Sequence, residues 1–182
     1  MAALFQEDAT DMMEYACGTG LVSRELCAYV RSIVGIDISE GMVEQFNLRA
    51  RNQGLDRDEM QAFCVELKGN EEELDGRKFD LIVCSLSYHH FSSIEDITRI
   101  LAFFLKPGGS LLVADIMKST IEGDIFPGNT DVVAHQRGFS EEEMRGVFEE
   151  AGLADVTYML ATSGTSHGKP VDLFLACGVK PT

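Results

Sequence analysis

Short apolar runs alternate with longer segments whose apolar residues recur every three or four positions along most of this 182-residue chain. A run that is apolar on both sides must be covered on both sides, so this alternation predicts a parallel sheet with helices on each face. Strands are expected near Asp11 to Ala16, Ile33 to Asp37, Gln61 to Leu67, Phe79 to Ser85 and Ser110 to Asp115. The helices between them are read from their stripes. Val22, Leu26, Tyr29 and Val30 mark the first, and Ile94, Ile97, Ile100, Leu101, Phe104 and Leu105 mark a later one. Ser140 followed by Glu143 is a capping-box signature, and Met144, Val147, Phe148 and Ala151 give the inward face of a last helix before Gly152.

Beyond that helix the pattern changes. Val156 to Ala161 and Val171 to Cys177 read as two strands joined by a Gly- and Ser-containing loop, a terminal antiparallel hairpin. No internal repeat or low-complexity segment interrupts the chain, and residues 1–182 are expected to form a single domain. With 15 Lys and Arg against 30 Asp and Glu, the formal net charge of −15 repels phosphate backbones and anionic membrane surfaces. Nucleic acid and membrane are therefore not expected as partners. The first ten residues carry Glu7 and Asp8 in place of a basic leader, and no run approaches the roughly 18 apolar residues of a span, which points to a cytoplasmic protein. Cys17, Cys27, Cys64, Cys84 and Cys177 are odd in number and form no C-x-x-C pair, so reduced structural thiols are expected.

The chemistry should gather after the first strand. Cys17-Gly18-Thr19-Gly20 stands between that strand and a helix, where backbone amides approach an anion or polar group. Seventeen residues beyond Gly20, Asp37 closes the second strand, at the spacing where a carboxylate accepts hydrogen bonds from both hydroxyls of a ribose. Asp37 could instead serve as a helix cap, but Ser39 can do that and leave Asp37 free.

Glu14-Tyr15-Ala16-Cys17-Gly18-Thr19-Gly20, followed by Gly35-Ile36-Asp37-Ile38-Ser39-Glu40-Gly41-Met42, resembles the first two motifs of the class I S-adenosylmethionine-dependent methyltransferases. Phe79-Asp80-Leu81-Ile82-Val83-Cys84 leading to His89-His90-Phe91 is similar to the fourth motif, and Leu105-Lys106-Pro107-Gly108-Gly109-Ser110-Leu111 to the turn before the fifth strand. The resemblance runs from about Asp11 to Cys177 and is strongest to the small-molecule branch. It implies a Rossmann-like, doubly wound, mostly parallel seven-stranded sheet ending in an antiparallel hairpin. It also implies S-adenosylmethionine as cofactor and a small or medium-sized acceptor. Carried over by position, Glu14 and the turn Ala16, Cys17, Gly18, Thr19, Gly20 hold the methionine portion, and Asp37 the ribose. Ile38 and Met42 line the adenine, Glu66 with Leu67 faces its amino group, and Ser85 and Leu86 run beneath the sulfonium, with Tyr88, His89 and His90 at the acceptor entrance.

Displacement at an activated methyl needs alignment and exclusion of water more than it needs a base. For a hydroxyl or acid acceptor, His135 or His90 is the side chain suited to take the proton near neutral pH. The histidine pair lacks the further ligands and spacing of a metal site, and no metal is expected; in the family the pair usually braces the loop. Ile121 to Gly138 is long and irregular and is expected to form an acceptor lid, with Phe126 and Phe139 as candidate apolar walls.

Two departures from the family pattern stand out. Ala16 occupies the place of a common first glycine and fits if its φ stays negative. Only about ten residues precede the first strand, where relatives carry covering helices, so apolar surface is expected to be exposed and a homo-oligomer is a reasonable expectation. The same shortness supports an alternative, a cofactor-binding or regulatory protein without catalysis. A nicotinamide-dependent oxidoreductase is a further alternative, opposed by the terminal hairpin and by the absence of chain for a substrate domain.

Overall fold

The computed structural model describes residues 4–118, 133–166 and 169–182. In chain order its elements are β1 (Asp11–Tyr15), α1 (Leu21–Leu26), β2 (Ser32–Asp37), α2 (Glu40–Asn52), β3 (Met60–Cys64), β4 (Phe79–Ser85), α3 (Ile94–Phe104), β5 (Leu105–Ile116), α4 (Glu141–Glu150), β6 (Ala154–Ser166) and β7 (Lys169–Val179). The seven strands form one sheet in the order β3-β2-β1-β4-β5-β7-β6. β1 to β5 are parallel and β7 runs antiparallel between β5 and β6. The expected doubly wound architecture is therefore the observed one.

Alternation along the strands divides the core in two. Met12, Ile33, Leu81, Val83 and Leu112 pack with Val43, Phe46 and Ala50 of α2 on one face. Met13, Val34, Ile36, Ile82, Leu111 and Val113 pack with Ile97, Leu101 and Phe104 of α3 and with Met144 and Phe148 of α4 on the other. Burying each large aliphatic or aromatic side chain contributes roughly 1.5–3 kcal/mol, so these two layers carry most of the stability.

Caps fix where the helices begin. Ser93 Oγ accepts the Asp96 N–H at α3. At α4 the expected capping box is complete, with Ser140 and Glu143 bonding reciprocally. At α2, by contrast, the Ser39 side chain makes no cap hydrogen bond. Asp37 Oδ1 accepts the Ser39 N–H at 2.9 Å instead, so the division of labour expected between these two residues is corrected.

Several boundaries also move. β3 ends at Cys64 because β2, the strand it pairs with, ends opposite it at Asp37, which leaves Glu66 and Leu67 beyond the sheet. Leu105 opens β5 and does not close the preceding helix. Tyr29 falls in a short 3-10 turn after α1 and is exposed, so it does not belong to the buried stripe. The terminal hairpin is longer than its hydrophobic runs suggested, since mutual pairing carries β6 and β7 through polar residues as far as Ser166 and Lys169. No described helix is long and apolar enough to cross a membrane.

Candidate active site

The strand order reverses direction at β1 and β4: from β1 the chain builds outward to β2 and β3, and from β4 outward to β5. Loops leaving the carboxyl ends of strands diverge at such a point and open a crevice. Every residue that the sequence motifs single out near Gly18 and Asp37 lies along this edge.

Glu14 alternates to the α1 side of β1 and is 4% exposed. The helix it meets starts at Gly20, which has no side chain with which to cap it. Glu14 does so from the strand: its Oε2 accepts the Ser23 N–H at 3.0 Å and the Ser23 hydroxyl. Burial outweighs these bonds and pushes the carboxyl up from 4.5 to about 7, with a smaller contribution from the nearby Asp37 charge.

The turn that follows places Ala16, Gly18 and Gly20 at φ values of +54°, +51° and +78°. Ala16 thus does not keep the negative φ expected of it. The Cys17 N–H is bonded to Ile36 O and the Gly18 N–H to Asp37, and meeting both partners holds Ala16 in the left-handed region despite its Cβ. Gly20 is required for a second reason. A Cβ there would lie 2.6 Å from Phe46 Cδ2, so its absence lets α1 start against α2. The Cys17 side chain turns into the core, where burial raises its thiol far above the ordinary range and keeps it neutral. Thr19 is clamped by Arg49 of α2, which donates to its carbonyl at 3.2 Å and to its hydroxyl.

Asp37 joins the two loops, accepting the Gly18 N–H at 2.8 Å on the oxygen not used by Ser39. Ile38 and Met42, which follow it in the chain, and Leu86 after β4 are large apolar side chains 74%, 45% and 47% exposed. Leu86 also has a positive φ of +53°, held by its N–H bond to Ala114 O at 2.8 Å. Ser85 closes β4 beside it. Left-handed non-glycine residues at the ends of both β1 and β4 are the kind of strain that collects at working sites. Glu66 is exposed and ion-paired with Lys68, and the Leu67 side chain is in the core.

The histidines gather on the β5 side of the same edge. His89 is buried, and its Nδ1–H donates to Asp115 Oδ1 at 2.8 Å. Asp115 also accepts the backbone N–H groups of His89 and Ile116. This pair was missed in the sequence reading, although Asp115 is the one charged residue in the apolar run Leu111 to Ile116. His135 bonds His89 O through its own N–H at 3.0 Å and Phe91 O through Nε2 at 3.1 Å. His90 is exposed, its ring centroid 4.1 Å from that of His89. Ring contacts of 5.8 Å between Tyr15 and Phe91 and 5.7 Å between Phe91 and Tyr88 tie this cluster to the end of β1. Phe139 is a core residue, 1% exposed against Tyr88 and Phe174, and not a wall of the crevice. Phe126 and most of the expected lid lie outside the described residues.

The methyltransferase domain family matches residues 1–158. The chain belongs to that family, the class I S-adenosylmethionine-dependent methyltransferases. An uncharacterized methyltransferase of Schizosaccharomyces pombe is 35% identical over 161 residues, 83% of this chain and 56% of that protein. The ubiquinone biosynthesis O-methyltransferase of Histophilus somni is 28% identical over 108 residues, 59% of this chain and 45% of that protein. The chain thus spans about half the length of these family members. The crystal structure of the YcgJ protein from Bacillus subtilis shares the fold at a TM-score of 0.69 and 18% identity, over 97% of this chain and 94% of that one.

Proposed function

We propose that this chain binds S-adenosylmethionine along the β1–β2–β4 edge and directs its methyl group onto a small or medium-sized acceptor by direct displacement. The observation that carries this reading is the convergence of three unlike features on one crevice. Glu14 is a carboxyl whose charge is penalised by burial, which an ammonium group would relieve. Asp37 offers carboxylate oxygens at a ribose's distance in sequence from the turn. Ile38 and Met42 are exposed apolar side chains just beyond Asp37, suited to the faces of a purine. The residues present therefore fit the cofactor.

When bound, the cofactor supplies a methyl group already activated on a sulfonium. The protein's part is placement: Glu14 and the Ala16 to Gly20 turn take the amino-acid end, Asp37 the ribose, and Ser85 and Leu86 the floor beneath the sulfur. For an acidic acceptor the proton goes to the imidazole cluster, with His135 or His90 as its receiver.

Calorimetric titration with S-adenosylmethionine, S-adenosylhomocysteine and NADH tests the reading. The two sulfur compounds are expected to bind and NADH is not. Asp37→Ala removes charged hydrogen bonds and is expected to weaken binding about ten- to a hundredfold. Preference for NADH, or sulfur-cofactor binding unchanged in Asp37→Ala, would sink the assignment; binding with no turnover across an acceptor screen favours the regulatory alternative.

A further inference from the structure

Two carbonyl oxygens of the loop after β4 decide the state of His135. A carbonyl can only accept, so the 3.1 Å contact between His135 Nε2 and Phe91 O requires the proton on Nε2. The neutral imidazole then has its lone pair on Nδ1. The second carbonyl, His89 O, accepts the His135 backbone N–H at 3.0 Å and fixes where that ring starts.

Neither carbonyl is placed by the loop alone. His89 is gripped twice by one carboxylate, its Nδ1–H at 2.8 Å and its backbone N–H at 3.3 Å from the two oxygens of Asp115. Asp115 is fully buried near the end of β5, a strand paired on both sides, and Oδ1 also accepts the Ile116 N–H at 2.7 Å. Among the described residues the Cys84 thiol and the Tyr88 hydroxyl also feel this carboxylate, and burial raises both well above their ordinary ranges, so they stay neutral beside it. A carboxyl group fixed in the sheet thus orients His89, and His89 orients His135.

We propose that Asp115 is a positioning residue that acts through His89 to lock His135 as its Nε2–H tautomer, making Nδ1 the nitrogen that receives the acceptor's proton. This rests on the methyltransferase reading and deepens it by choosing one residue and one atom of the cluster. In the step itself the acceptor's O–H or N–H bond breaks and its electron pair stays with the acceptor. The proton forms a new bond at Nδ1, and the resulting imidazolium keeps its Nε2–H on Phe91 O. Because the ring is held by a loop carbonyl, it need not reorganise as it becomes charged.

Long-range 1H–15N correlation of the histidine side chains, in the protein saturated with S-adenosylhomocysteine, reads the tautomer directly. His135 is expected as a single Nε2–H form. Asp115→Asn and His89→Ala are expected to turn that signal into an exchanging mixture. His89→Asn places an amide N–H where Nδ1–H stood, keeps the grip of Asp115, and is expected to restore the single form. If Asp115→Asn does not fold, the His89→Ala and His89→Asn pair carries the test alone. A His135 signal of the Nδ1–H type, or one that is the same in the parent, His89→Ala and His89→Asn proteins, overturns the proposal. Binding of S-adenosylhomocysteine, measured separately by calorimetry, shows whether the underlying reading has failed instead.

Discussion

Replacing Glu14 by Gln should make the protein more stable at alkaline pH while weakening its cofactor site. Glu14 Oε2 accepts both bonds from Ser23. A glutamine can present its carbonyl to the same donors and its amide nitrogen where the protonated acid carries its hydrogen. What it removes is the titration. Burial raises the carboxyl from 4.5 to about 7, so between those values the folded protein holds a proton that the unfolded chain has released. The stabilisation linked to that proton is complete below pH 4.5 and is lost as pH rises to about 7. Each tenfold of proton affinity is worth about 1.4 kcal/mol, so the loss amounts to roughly 3 kcal/mol. The Asp11, Glu73 and Glu143 carboxyls are shifted the other way, by hydrogen bonds that outweigh their desolvation, and their contribution is lost as pH falls. They act alike in both proteins and cancel in the difference. Urea denaturation of the parent and Glu14→Gln at pH 5, 6, 7 and 8 measures that difference. It should be under about 1 kcal/mol at pH 5 and reach about 3 kcal/mol in favour of Gln at pH 8, accompanied by weaker S-adenosylmethionine binding. A variant that is less stable than the parent at pH 8, or whose stability follows pH with the parent's slope, refutes the argument that burial dominates this carboxyl.

Ala16→Gly removes a Cβ from a residue at φ +54° and is expected to raise Tm by about 2–4 °C, the effect of roughly 1 kcal/mol in a chain of this size; an unchanged or lower midpoint in a thermal melt counts against strain at this turn. Gly138→Ala should do the opposite. Its φ is +72° and the new Cβ would lie 2.5 Å from Ile116 O and 2.7 Å from Met117 O, backbone atoms that cannot swing aside, so a loss of about 2–3 kcal/mol is expected in urea denaturation. We predict that the self-association expected from sequence uses the outer edge of β6, which has no charged residue from Val156 to Ser166 and exposes Met159 and Leu160 by 41% and 57%. Leu160→Lys should lower the sedimentation coefficient at concentrations where the parent associates, and a parent that stays monomeric throughout removes the assignment.

The fold was legible because it is written in periodicity. Strands apolar on both faces, helices with a stripe and a capping box at Ser140 admit few arrangements, and the sheet order follows from short connections between them. The limits of single elements were less legible where a pairing partner set them. β3 stops at Cys64 because β2 ends opposite it at Asp37, and β6 continues past its hydrophobic run because β7 supplies a ladder. The same distinction divides the site. The Gly18 turn and Asp37 are visible since a glycine turn between strand and helix, and a carboxylate closing the next strand seventeen residues beyond Gly20, are spacings along the chain. The bond that joins them, the Ser23 partner of Glu14 and the Arg49 clamp on Thr19 depend on which face of an element meets which, and no spacing rule reports that. Asp115 is the instructive case. A carboxylate inside an apolar strand carries a desolvation cost that only a specific partner offsets, so its presence in Leu111 to Ile116 already demands a donor nearby. The sequence cannot say that the donor is His89 rather than its neighbour His90. That choice is made by the 3-10 turn at Tyr88 to His90, which points one imidazole into the sheet and leaves the other exposed.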